Sequence, residues 1–235
     1  MTSLKDDRNY NQIFVPSYAT NKRLERRADY IIRQFNTSKP NDILEIGCGM
    51  GIMANMMAQK TKSNILGIDL CVPFIEHAQK NFQRSNLSFA VMDFNKPGDF
   101  NDRRFDYIIG NGILHHLYFH LDDALITIKK LLKPEGKIVF LEPNIYNPYC
   151  YIIFSFPYFR KKAHLEPTEM AFSKSFITKK LSAAGYKNIK VEYRDFLLPG
   201  IPKFLVNPSI SLGAIAEKIP LLKKWSQSIF ISAEN

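Results

Sequence analysis

Ile43-Leu44-Glu45-Ile46-Gly47-Cys48-Gly49-Met50-Gly51 is the stretch on which the reading of this chain turns. Its first four residues form a short apolar run with one acid, the pattern of a strand buried on both faces. Three glycines at steps of two then make a turn through which the backbone approaches a ligand closely, and the helix that follows points its first amides back into that turn. Ile52, Met53, Met56 and Met57 give this helix an apolar face, and Lys60 and Lys62 stand at its end, where the dipole favours cations. A dinucleotide fingerprint, G-x-G-x-x-G, would require glycine at position 52. Position 52 is isoleucine.

Outward from this turn, strands and helices alternate. A strand Ile65–Leu70 is closed by Asp69, and Pro73 opens a helix running to about Arg84. A strand near Ser88–Met92 ends at Asp93, and Phe105–Ile109 ends near Asn111. Helix Asp122–Leu132 carries acids at its positive end and Lys129, Lys130 and Lys133 at its negative end, and the turn Lys133-Pro134-Glu135-Gly136 leads into strand Lys137–Glu142. Five strands separated by helices or crossover segments specify a parallel, doubly wound α/β sheet. Upstream, a helix from Asn21 puts Leu24, Ala28, Ile31, Ile32 and Phe35 on one face and Lys22, Arg23, Arg26, Arg27 and Arg33 on the other, so residues 21–142 read as a core behind a flexible leader, 1–20. After Pro143 the alternation breaks. Residues 143–172, rich in proline and aromatics and ending their aromatic run in Arg160-Lys161-Lys162, read as a cap inserted over the strand ends. Residues 173–235 return to the same domain with a helix Ser173–Ala184 stopped by Gly185, a strand Ile189–Tyr193 and a last strand Ser228–Ala233.

With 235 residues, 46% hydrophobic and 23% charged, the chain has the composition of an ordinary globular domain, which excludes disordered, collagen-like and coiled-coil classes. No apolar run reaches the roughly 18–20 residues of a membrane span, and MTSLKDDRNY lacks the apolar centre of a signal peptide, so a cytoplasmic location is expected. Cys48, Cys71 and Cys150 stand far apart with no C-x-x-C pair, which argues against a disulfide framework or a zinc site. The formal charge of +10 suits nucleic acid, anionic headgroups, phosphorylated small molecules or simply a solvated basic surface.

The glycine turn, with its acid two residues before the first glycine, resembles the first motif of the Rossmann-like, class I S-adenosylmethionine-dependent methyltransferases. FDYIIGNGILHHL (105–117) and LKPEGKIVFLEP (132–143) resemble that family's fourth- and fifth-strand motifs. The resemblance implies a seven-stranded sheet whose last strand is antiparallel, with S-adenosyl-L-methionine as cofactor. It assigns Glu45 to the methionine end, Gly47, Gly49 and Gly51 to the turn that lets the backbone approach the cofactor, Cys48 to a small residue beside it rather than a nucleophile, and Asp69 with Leu70 to the ribose side. It assigns Asp93 with Phe94 to the adenine, and Asn111 to the methionine moiety again. Taken alone, strand-end aspartates such as Asp69 and Asp93 equally suit helix caps or turns.

Methyl transfer from a sulfonium is an in-line displacement in which positioning supplies much of the rate. A base is needed only for acceptors that must lose a proton, and the candidates at the strand ends are His115, His116 and Glu142, each of which also suits a structural hydrogen bond. A histidine with an ordinary pKa near 6.5 offers a neutral acceptor at pH 7. Tyr146, Tyr149, His164, Glu166 and Glu169 are the cap's candidates for the acceptor wall, while its aromatic rings equally suit the cap's own core. No metal is expected, because no further carboxylate or histidine joins 115 and 116 in the sequence. The expected partner is a small-molecule acceptor methylated at oxygen: a sugar, an aromatic or a natural-product-like hydroxyl. Nucleic acid is disfavoured. Asn111-Gly112-Ile113-Leu114 is not the Asn/Asp-Pro-Pro-aromatic motif of base N-methyltransferases, Asn147-Pro148-Tyr149 follows the wrong strand, and no cysteine suits attack on a base carbon. RNA methylation at ribose or guanine stays open. So does a membrane-peripheral enzyme with a lipid acceptor, because 149–162, 196–204 and 219–225 mix apolar residues with Lys and Arg. A non-catalytic cofactor-binding module has no feature in its favour.

Overall fold

Every strand expected from the apolar runs joins a single sheet. The structure, a computed structural model, describes residues 17–36, 38–96 and 100–235. Its strands are β1 (Asp42–Ile46), β2 (Asn64–Asp69), β3 (Leu87–Val91), β4 (Phe105–Asn111), β5 (Leu132–Pro143), β6 (Lys187–Arg194) and β7 (Ser228–Glu234). Their spatial order is β3-β2-β1-β4-β5-β7-β6, with β1 to β5 parallel and β7 antiparallel to both its neighbours. This is the doubly wound sheet with an antiparallel last strand that the sequence implies.

Helices α1 (Tyr18–Ile32), α2 (Ile52–Lys60) and α3 (Val72–Asn81) cover one face of the sheet, and α4 (Leu121–Leu131) and α7 (Lys174–Ala183) the other. Because strand side chains alternate, Ile43, Ile65, Tyr107, Ile109 and Val139 pack under the first group, and Leu44, Leu66, Ile108, Ile138 and Phe140 under the second. The strand order reverses between β1 and β4, and that switch point opens the crevice at the strand C-terminal ends where ligands bind in such sheets.

The cap after β5 contains α5 (Pro148–Ser155) and α6 (Pro157–Lys162), and a bridge between Asn144 and Phe172 closes its base. Asn147 caps α5 by accepting from the Cys150 amide at 3.1 Å, which accounts for the Asn-Pro-Tyr triplet as a helix start with proline in the first turn. Helix α8 (Lys203–Ala216) follows β6, and short 3-10 segments span Leu114–His120 and Leu222–Trp225.

Four expectations are corrected. Helix α1 is capped by Ser17 rather than Asn21, so 17–20 belong to the helix, while 1–16 lie outside the described residues. Arg27 is buried, although its charge placed it on the outer face. Helix α3 stops at Asn81, short of Arg84. The cap's rings are mostly exposed, and its small core is Cys150, Phe154 and Ala171. No helix among the described residues is long and apolar enough to cross a membrane.

Candidate active site

A cavity of about 490 Å³ opens at the ends of β1, β2 and β4. Glu45, Gly47, Cys48, Gly49, Asp69, Leu70, Asp93, Phe94 and Asn111 all line it. Gly51 does not: it caps α2 with φ +74°, and a Cβ there would stand 2.6 Å from the Phe89 ring, so glycine is needed to seat the helix on the sheet. Gly49, at φ +52°, has nothing within 4 Å of where its Cβ would be, and its bare face fronts the cavity.

The acids around this loop differ in what the chain already offers them. The Asp69 carboxylate accepts from the amides of Gly49 and Cys71, both at 2.9 Å, and so ties the glycine loop to the end of β2. Asp93 accepts from the Asn95 amide at 3.0 Å beside the buried Phe94 ring. Glu45 is buried, and its Oε2 has no hydrogen-bond partner among the described residues. Burial, reinforced by the charge of Asp69, pushes its carboxyl up to about 8. Burial likewise holds the Cys48 thiol well above its ordinary range, which keeps it protonated.

S-adenosylmethionine fits these residues. A buried carboxyl with one oxygen unpartnered faces a cavity that has room for a cofactor of this size, and the cofactor's amino group is a donor for that oxygen. Asp69 retains free lone pairs for ribose hydroxyls, and Phe94 offers a ring face to a base.

On the other wall the candidate bases separate. Glu142 is completely buried and does not line the cavity. Its Oε1 accepts from the amides of Ile113 (3.1 Å) and Leu114 (2.9 Å), and its Oε2 from the His115 amide (3.3 Å), with His115 Nδ1 at 2.8 Å. These donors tie the carboxylate to the turn after β4, off the cavity wall. His115 is buried against it and is likewise absent from the cavity wall. His116 does line the cavity, and its Nδ1 lies 2.8 Å from Glu169 and 3.5 Å from Glu166. Burial alone would lower its pKa, but hydrogen bonds and charges from Glu166 and Glu169 outweigh this and push it up to about 9. It is therefore an imidazolium at neutral pH rather than the neutral acceptor an ordinary histidine offers.

From the cap, His164 and Glu166 reach the cavity, and Glu169 acts one step behind through His116. Tyr146 and Tyr149 are exposed and do not line it, because the turn into α5 carries them outward. Two arginines hold the site together without having been singled out. Arg160 donates to the carbonyls of Phe154, Glu166, Pro167 and Glu169, pinning the segment that carries Glu166 and Glu169. Arg27 donates to Asn111 Oδ1 and Ser228 Oγ, both at 2.5 Å, and to Asp195 at 3.1 Å, which fixes Asn111 at the cavity rim. Burial and Arg23 pull its pKa down to about 9, so it stays charged at neutral pH. Its spacing of three from Leu24 and four from Ile31 is the signal for its inward position.

The folded chain also joins what the sequence keeps apart: one ligand atom each from His115, His116 and Glu169 lie within 4.8 Å of one another. The premise that no carboxylate accompanies the two histidines is corrected, since Glu169 does, with its oxygen engaged by His116 Nδ1.

Residues 43–136 match the family described as "Methyltransferase domain". A ubiquinone biosynthesis O-methyltransferase from Actinobacillus pleuropneumoniae is 31% identical over 124 residues, covering 50% of this chain and 52% of that protein. The chain thus spans about half the length of such curated relatives. Among solved structures, a SAM-dependent methyltransferase from Archaeoglobus fulgidus superposes with a TM-score of 0.64 at 16% identity, covering 92% of this chain and 94% of that one. Haemonchus contortus phosphoethanolamine N-methyltransferase 2, in complex with S-adenosyl-L-methionine, gives 0.63 at 16% identity, covering 89% of this chain and 52% of that one. Residues 43–136 thus carry a methyltransferase domain, and the strand order and the crevice at the strand ends are those of the class I, Rossmann-like S-adenosylmethionine-dependent methyltransferase fold.

Proposed function

We propose that the protein methylates a small-molecule acceptor, at a hydroxyl oxygen of a sugar, aromatic or natural-product-like compound. The observation that carries this reading is His116, which lines the cofactor cavity with its Nδ1 tied to Glu169 at 2.8 Å, so that Nε2 is left for an acceptor beside His164 and Glu166. The name of the Actinobacillus relative, an O-methyltransferase, supports oxygen as the acceptor atom.

S-adenosylmethionine, when bound, supplies a methyl group activated by its sulfonium. The chain's own work is to hold, to orient and to manage one proton. Glu45 accepts from the cofactor's amino group, Asp69 holds ribose hydroxyls, Asp93 and Phe94 hold the base, and the bare Gly49 lets the backbone come close. His116 in its neutral form takes the acceptor hydroxyl's proton at Nε2, with Glu169 fixing the ring. With a pKa of about 9, roughly one ring in a hundred is neutral at pH 7, so turnover rises tenfold per pH unit and levels off near 9.

A thermal-shift titration with S-adenosylmethionine, S-adenosylhomocysteine and NAD tests the cofactor half, since a ligand bound only by the folded state raises Tm by mass action. Stabilisation by the first two alone is expected, and stabilisation by NAD alone would overturn the assignment. Release of S-adenosylhomocysteine across a panel of hydroxyl and amine acceptors tests the other half. Turnover confined to amines would refute oxygen as the acceptor atom.

A further inference from the structure

Three segments left with large apolar side chains in water emerge at one end of the sheet. The cap follows the C-terminal end of β5, α8 follows the C-terminal end of β6, and the 3-10 segment Leu222–Trp225 precedes β7, which runs the opposite way. All three therefore lie at the edge where the cavity opens. Asn147 at the start of α5 donates to the Trp225 carbonyl at 2.7 Å, and Val206 of α8, with Leu197 from the segment before it, packs on Ala19 of α1, whose Leu24 lines the cavity. Tyr158, Phe204, Leu212, Leu221 and Trp225 are each between 57% and 75% exposed.

The charge on this edge has one sign. Residues 145–163 contain three basic residues and no acid, and 196–226 contain four lysines and a single acid, Glu217. Glu217 is occupied by Arg194 and the Asp195 amide, and Arg160 is turned inward onto carbonyls. Lys161, Lys162, Lys203, Lys218 and Lys224 remain exposed among the apolar groups, with no carboxylate partner among the described residues. An apolar surface rimmed by lysine and by an interfacial tryptophan and tyrosine complements an anionic bilayer, where the rings and aliphatic groups enter the headgroup boundary and the lysines meet lipid phosphates. A second copy would bring the same uncompensated lysines face to face.

We propose that the cap, α8 and the Leu222–Trp225 segment form a peripheral docking surface for membranes containing anionic lipid, which presents the mouth of the active-site cavity to the bilayer. The proposal is independent of the acceptor assigned above. Sedimentation of the protein with phosphatidylcholine vesicles, with and without phosphatidylglycerol, tests it directly. Binding is expected to the anionic vesicles and to weaken as salt is raised. Lys218→Glu with Lys224→Glu should lower partitioning by at least fivefold per residue, the equivalent of about 1 kcal/mol each at an anionic surface. Phe204→Ser with Leu221→Ser should lower it on both vesicle types, with an unchanged thermal shift by S-adenosylmethionine as the check on folding. Failure to sediment with phosphatidylglycerol vesicles at low salt would overturn the proposal. So would light scattering that shows a dimer which the apolar pair of substitutions dissociates, since the surface would then belong to a second copy.

Discussion

Replacing Glu142 by glutamine separates an anchor from a base. The carboxylate meets four donors, the amides of Ile113, Leu114 and His115 and the His115 ring, and none of its surface reaches solvent. Glutamine keeps one oxygen and puts an NH2 group where the other was. In the cheaper orientation the oxygen keeps Ile113 and Leu114, His115 switches tautomer to accept from the new amide, and the His115 N–H is left without an acceptor. One buried unpaired donor costs about 1–3 kcal/mol, and losing the charge on the acceptor weakens the two bonds that remain, so the total is about 2–4 kcal/mol. For a chain of this size each kcal/mol lowers Tm by about 2–4 °C, which places the variant roughly 8 °C below the parent. Calorimetry or circular dichroism reads this directly. A variant that melts within about 2 °C of the parent and yet has lost turnover would refute the reasoning and restore Glu142 as the base.

Glu45→Gln should weaken S-adenosylmethionine binding at least tenfold, the cost of about one charge-assisted hydrogen bond, when measured by calorimetry at pH 8. Because burial raises the Glu45 pKa to about 8, the parent loses stability as pH rises from the ordinary carboxylate range to about 8, so the glutamine variant should melt higher than the parent at pH 8 and the gap should close towards pH 4.5. A variant less stable than the parent at pH 8 would count against the orphaned carboxyl. His116 carries the opposite sign: its raised pKa contributes stability that is fully present below about 6.5 and lost as pH rises through about 9, on the order of 3 kcal/mol. His116→Gln should therefore differ most from the parent in denaturant midpoint at pH 6, and equal midpoints there would exclude the pairing with Glu166 and Glu169. Gly49→Arg fills the cavity side of the loop and should abolish the thermal shift by cofactor. Gly51→Ala drives a Cβ to 2.6 Å from Phe89 and should lower Tm of the free protein, so parent-like melting in the second would show that the Phe89 ring gives way.

The sheet was legible because its information is local. Ile43–Ile46, Ile65–Asp69 and Phe105–Asn111 announce themselves as apolar runs, and the glycine turn places the cofactor without knowledge of any other segment. What was not legible depends on contacts between distant residues. Arg27 reads as one more cation on a charged helix until Asp195, Ser228 and Asn111, drawn from three other elements, surround it. Helix α8 carries Pro208 in its interior and follows Pro199, Gly200 and Pro202, each a local signal against a helix. Tyr146 and Tyr149 belong to the same aromatic run as residues of the cap's interior, and only the direction of α5 decides that they face outward. His116 and Glu169, separated by more than fifty positions in the sequence, become a pair only when the cap folds back over the turn after β4.

Glu45 and Glu142 show what distinguishes a ligand-seeking acid from a structural one when sequence cannot. Both are buried carboxylates at the ends of adjoining parts of one parallel sheet, and both follow apolar strand residues. The turn after β4 bends so that three successive amides point at Glu142, and the chain thereby satisfies that charge itself. The turn after β1 is made of glycines with positive φ, and Oε2 of Glu45 has no partner among the described residues. An unsatisfied buried carboxyl is costly in the free protein, and the cost is recovered when a ligand brings a cationic donor. The bare glycine turn makes room for the cofactor, and the unpartnered Oε2 of Glu45 beside it leaves that acid to be satisfied by the cofactor's arrival.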